Sequence, residues 1–213
     1  MRTQVIFALF GVALAQAGTV VDIDSQKWGC NQCNGPQNIE PGTVVTPFFT
    51  GGANSLLQLT LGPGTYTFTN ADPNGTDYFS AWNFQGYPNS GNWVWSFVVA
   101  NDANDTVLMD DFVSTIQGTQ AAMSNLTGTT TFNGATQLSG TSTAGFTDSL
   151  TLGSTTTLDF FIDDYALGDN GGGVALNISG GATGAPEPGT AAMIVGALAL
   201  LGLRRIKAAL REP

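Results

Sequence analysis

The sequence predicts an all-β body, an antiparallel β-sandwich of jelly-roll type, and three observations lead there. Eleven short strand-like segments recur between residues 19 and 178. Clusters of Gly, Pro and Asn separate them. No amphipathic helix of convincing length interrupts the series, and many short strands in regular succession suit two packed sheets.

In chain order the expected strands are Thr19–Ile23, Val44–Phe49, Ser55–Leu61, Thr65–Thr69, Tyr78–Phe84, Trp93–Ala100, Thr106–Phe112, Thr129–Phe132, Gly145–Leu152, Thr157–Ile162 and Val174–Ile178. Pro41-Gly42, Gly51-Gly52, Gly62-Pro63-Gly64, Pro73-Asn74-Gly75, Pro88-Asn89-Ser90-Gly91 and Gly171-Gly172-Gly173 supply turn chemistry between them. Thr119–Met123 is the one short helical candidate. A parallel β-helix is the rival reading, because Thr/Gly-rich stretches recur between Thr127 and Thr157; no fixed repeat length supports it.

The two ends read differently from the body. Arg2, the uncharged run Val5 to Ala15 and the small residues Ala15-Gln16-Ala17 before Gly18 form a removable signal peptide over residues 1–17, with a cut after Ala15 as the alternative. An ordinary N-terminal helix is the plainer reading. The body is expected over residues 18–179, and a Gly/Ala/Ser/Thr linker with Pro186-Glu187-Pro188 over 180–189. Residues 190–213 hold the apolar run Thr190 to Leu203 followed by Arg204, Arg205, Lys207 and Arg211. This run is expected to be a single short transmembrane helix. Its fourteen residues reach only about 21 Å against a hydrocarbon core of roughly 30 Å, so snorkelling Arg and Lys must extend it. The basic cluster should stay cytoplasmic and leave the body outside.

A Pro-Glu-Pro motif, a short apolar helix and Arg-Arg at the chain's end together resemble the PEP-CTERM sorting signal of Gram-negative bacteria, also known as the ice-binding protein C-terminal domain type of tail. The resemblance covers about the last 28 residues. It implies that an exosortase-type processing enzyme reads Pro186, Glu187, Pro188, Arg204 and Arg205, removes the tail and releases the body to the cell surface or extracellular matrix. A plain membrane anchor is the alternative. Both place the body outside the cytoplasm.

Charge narrows the partners. Between Gly18 and Ala185 the chain holds fourteen acidic residues, thirteen of them Asp, and one basic residue, Lys27, for a net charge of −13. Such a surface repels phosphate backbones and argues against nucleic acid; it suits divalent cations or neutral glycans. Acidity that merely keeps the protein soluble is the plainer account. Cys30 and Cys33 sit in WGCNQCNG, where an oxidising compartment favours a small disulfide loop. Free thiols, redox chemistry and metal binding are the alternatives; two thiolates without any His cannot complete a tetrahedral zinc site.

The segment Leu158 to Ser179 carries the strongest candidate for chemistry. Asp163 and Asp164 end an apolar strand, and Asp169-Asn170 follow in the next loop; carboxylates so spaced can converge on calcium, with carbonyl oxygens completing the shell. The segment looks like the terminal hairpin of galactose-binding-like β-sandwich lectins. That resemblance implies that Asp163 or Asp164 is the first calcium ligand, that Asp169 and Asn170 are the later pair, and that the ion grips a sugar. A tight turn capped by its Asp residues is the alternative.

Trp82, Tyr87 and Trp93 are candidates for stacking on sugar rings, but Trp93, Trp95 and Phe97 share one strand face, as do Tyr78, Trp82 and Phe84, which is the pattern of a core. Tyr87, in a Pro/Gly/Asn loop, is the expected glycan contact. With no His, Ser-His and Cys-His catalysis are excluded. The pairs Asp110-Asp111 and Asp163-Asp164 offer only a remote case for glycoside hydrolysis, because adjacent strand residues point to opposite faces. The body is therefore expected to be no enzyme, but a structural or adhesive module that meets extracellular polysaccharide. A calcium-assisted glycan-binding module is the second reading and a glycoside hydrolase the third.

Overall fold

The structure is a computed structural model that describes residues 18–35, 37, 39–72, 78–89, 91–113, 116–124, 130–132, 136–138, 143 and 145–181. The signal peptide at 1–17, the sorting residues Pro186, Glu187, Pro188, Arg204 and Arg205, and the expected transmembrane helix lie outside them. Among the described residues no helix is long and apolar enough to cross a membrane. The chain divides into two units, Met1–Ala182 and Thr183–Pro213, and every described residue belongs to the first.

In chain order the strands are β1 (Thr19–Asp24), β2 (Trp28–Cys30), β3 (Pro47–Phe49), β4 (Leu57–Leu61), β5 (Gly64–Asn70), β6 (Ser80–Asn83), β7 (Trp93–Val94), β8 (Ser96–Asn101) and β9 (Thr106–Phe112). The short helix α1 (Gln120–Ser124) follows, then β10 (Thr130–Phe132), β11 (Thr136–Leu138), β12 (Thr147–Leu152), β13 (Thr156–Phe161) and β14 (Gly171–Gly180). One sheet runs β12-β5-β14-β6-β7, with β1 on the other edge of β14; a second runs β11-β10-β9-β8-β13-β4; β2 and β3 form a separate pair. All these pairings are antiparallel. The described residues are therefore all-β in antiparallel sheets, with no parallel β-helix among them.

β14 joins the first sheet together. Val174 pairs with Ile23 of β1 and Ser80 of β6, while Leu176 pairs with Val21 of β1 and Asn70 of β5. Gly173 makes the β1 side possible: a Cβ there would run into the Ile23 carbonyl oxygen and the Phe79 ring.

Side chains from both large sheets meet in one apolar cluster that includes Ile23, Phe68, Trp82, Trp95, Phe97, Met109, Phe160 and Leu176. The expected core role holds for Trp82, Trp95 and Phe97, which are fully buried. Tyr78 is 43% exposed, so it is not a core residue. The expected strand Trp93–Ala100 is two strands: β7 pairs with β6 in the first sheet and β8 with β9 and β13 in the second. Trp95 lies at the crossing, its ring 5.5 Å from Phe97 and 4.8 Å from Phe146.

The outer face of the second sheet is also covered. Val98, Ala100, Val107 and Phe161 pack against Cys30, Cys33, Ile39 and Val45. This covering segment, whose described residues are 30–35, 37 and 39–46, starts where β2 hydrogen-bonds to the chain after β13, through Ile162 N to Trp28 O and Cys30 N to Asp164 O. Cys30 and Cys33 form a disulfide with Cα atoms 5.4 Å apart. Closing so short a loop removes little chain entropy, so reduction should lower stability by about 2 kcal/mol or less. Thiol counting before and after reduction, with a urea transition on each form, checks this.

Candidate functional site

The loop between β13 and β14 does not gather its four candidate ligands at one point. Asp163 is fully buried and faces away from the loop: its Oδ1 accepts from Ser96 Oγ at 2.5 Å and its Oδ2 from Gln37 N at 2.6 Å. Asp164 and Asn170 do come together, with Asn170 Nδ2 donating to Asp164 Oδ2 at 3.0 Å and also to Ser25 O at 3.2 Å. Asp164 Oδ1 takes the Ala166 N–H, an Asx-type turn that starts the loop. The Asn170 Oδ1 atom is buried without a hydrogen-bond partner. Asp169 is exposed, and its backbone oxygen accepts from Tyr87 N at 3.1 Å. Burial raises the carboxyl pKa of both Asp163, to about 7, and Asp164.

The same loop forms one wall of an open groove of about 660 Å³, with Phe48, Phe49 and Thr50 opposite Tyr165 to Asp169. Phe49 is 43% and Tyr165 55% exposed, so two aromatic rings face solvent beside the exposed Asp169. Sequence reading missed both. A signal existed: in Phe48-Phe49 on a pleated strand only one ring can face inward, and Tyr165 follows two Asp residues in a loop. Tyr87 is exposed as expected, but it already has packing partners. Its ring lies edge-on to Trp93 at 6.0 Å and covers Gly171, where a Cβ would collide with it.

A second constellation lies under the 30–46 segment. In one row across the outer face of the second sheet, Phe161, Val98 and Asp110 are neighbours. Ser96 and Asp163 lie two residues further along β8 and beyond β13, on the same face by the period of two. Ile39 N donates to Asp110 Oδ2 at 2.6 Å, as Gln37 N does to Asp163. Asp110 and Asp163 are thus tied to N–H groups two residues apart in the chain, both with no exposed surface. Burial first, and then the charge of Asp163, push the Asp110 carboxyl up to about 9. Asp111 is buried on the opposite face, across from Phe97.

No protein-family model, no curated protein and no solved structure matches this chain.

Proposed function

We propose that the chain is an exported cell-surface or matrix protein, sorted and trimmed through its Pro-Glu-Pro tail by an exosortase-type enzyme, and that its body is an adhesive β-sandwich. The tail's order of parts supports the sorting. Two crossings support a jelly-roll-like sandwich: β4 and β5 are consecutive but lie in different sheets, as do β12 and β13, and the two sets pair β5 with β12 and β4 with β13.

The groove between Phe49 and Tyr165 carries the adhesive reading. Ring faces take the apolar faces of sugars, Asp169 accepts hydroxyl hydrogen bonds, and a net charge of −13 between Gly18 and Ala185 selects neutral over anionic polysaccharide. Affinity electrophoresis on neutral and anionic polysaccharides tests it. Phe49→Ala and Tyr165→Ala should each weaken retardation at least tenfold, about 1.4 kcal/mol, while Tyr78→Ala, another exposed aromatic, should not. Equal retardation of all four proteins would remove the groove from consideration. Calcium-assisted binding is a second reading, favoured by the adjacent Asp164 and Asn170 with an unpartnered Asn170 Oδ1. We assign no hydrolytic role, since the carboxyls of Asp110 and Asp163 have no exposed surface and accept from Ile39 N and Gln37 N.

A further inference from the structure

We propose that Asp110 and Asp163, beneath Gln37 and Ile39, form a structural calcium site that seals the covering segment onto the sheet. The site is distinct from the Asp164–Asn170 pair and independent of any glycan.

Two carboxyl groups without exposed surface are tied to the N–H groups of Gln37 and Ile39, and the body's single basic residue, Lys27, is engaged by Asp24 at 3.0 Å. Like charges in a desolvated space need a proton or a cation between them. Asp110 Oδ1 is buried without a hydrogen bond, while Asp110 Oδ2 accepts from Ile39 N and Asp163 Oδ2 from Gln37 N. The Asp163 oxygens each accept one hydrogen bond, which leaves each a second lone pair for a metal. Ser96 Oγ is a neutral oxygen at the same place.

Ligand chemistry selects the ion. The donors are all oxygen, the chain has no His, and both cysteines are in the disulfide, so zinc and other soft-ligand metals have nothing to prefer. No group of three carboxylates, His or Cys gathers among the described residues, so carbonyls and water must complete the shell. Calcium tolerates such an irregular shell, whereas magnesium demands a near-ideal octahedron. The ion would be enclosed by the covering segment, so it should exchange only when that segment lifts.

The full chain is stripped with chelator, and its melting is followed with calcium, magnesium or sodium at matched ionic strength. Calcium alone should raise the midpoint by roughly 5 °C or more. Trp82 Nε1 lies 3.2 Å from Ser96 Oγ, so terbium in the site should luminesce when tryptophan is excited. Asp110→Asn keeps the acceptor for Ile39 and should lose both the calcium shift and the terbium signal; Asp164→Asn should keep both. Metal analysis of unstripped parent after gel filtration should find one calcium per chain, a readout that needs no variant to fold. Three results would each overturn the proposal: Asp110→Asn responding like the parent, magnesium giving the same rise as calcium, or parent protein without retained calcium.

Discussion

In calcium-free buffer the protein is expected to be more stable at pH 5 than at pH 8, the reverse of ordinary acid denaturation. The folded pKa values of Asp110 and Asp163, about 9 and about 7, stand above the unfolded value of 3.8. Folding therefore takes up protons, and the associated stability is complete below the unfolded value. It is lost as pH rises, through about 7 for Asp163 and about 9 for Asp110. Within those windows each group costs at most about 1.4 kcal/mol per pH unit, a serious fraction of a typical domain's about 5–15 kcal/mol. Asp22, Asp159 and Asp164, also raised by burial, act in the same direction. The charges acting on the pair are those of Asp163, Asp111 and Glu40 on Asp110, and of Asp164 on Asp163, all acidic. Urea midpoints at pH 5 and pH 8 check it. Asp110→Asn should flatten the difference, as should saturating calcium if the ion replaces the proton. Stability that rises between pH 5 and 8 in the parent would refute the assignment of buried, protonated carboxyls.

The largest single-residue effect is expected at Gly173. Gly173→Ala places a methyl group against the Ile23 carbonyl oxygen, which is backbone and cannot swing aside, and against the Phe79 ring. Relief requires β1 to leave β14, and the two pair over six residues from Thr19↔Ile178 to Asp24↔Gly173. Overpacking of this kind with strand displacement should cost at least about 3 kcal/mol and lower the melting midpoint by roughly 10 °C. Gly168→Ala, in the loop before β14 with open space around its Cβ position, should leave melting unchanged. Thermal melts and limited proteolysis of the two variants make the comparison; equal midpoints would mean that β1 accommodates the methyl group.

The strand content was legible because residues such as Gly64–Asn70 and Thr147–Leu152 alternate between more and less exposed positions, which a period of two reveals. The expected helix at Thr119–Met123 lies one residue from α1. Long-range coverage was not legible. Ser96 to Ala100 are all fully buried because one face meets the main cluster and the other meets the 30–46 segment. Its non-alternating SFVVA composition was the available hint. The same coverage hides Asp110, whose sequence position inside a strand gave no sign that Ile39, 71 residues earlier, would close over it. β2 was missed because its Gly29 and Cys30 belong to a stretch that reads as loop until Phe48 and Phe49 are placed opposite. For the candidate ligands, spacing put Asp163 beside Asp164, but the turn after β13 sent the two side chains to different partners.

The placement of β14 makes the fold a test of completeness. β1, β5 and β6 all lean on a strand that follows them by at least 88 residues, since Asn83 of β6 waits for Gly171 and Thr19 waits for Ile178. Contacts of such long range form late, after the cost of closing large loops has been met. A chain made from its first residue onward thus cannot finish this sheet until β14 is available, and a fragment broken before Gly171 keeps three strands with no shared neighbour. Truncated molecules would expose those bare edges to proteases, so intact copies would outlast them.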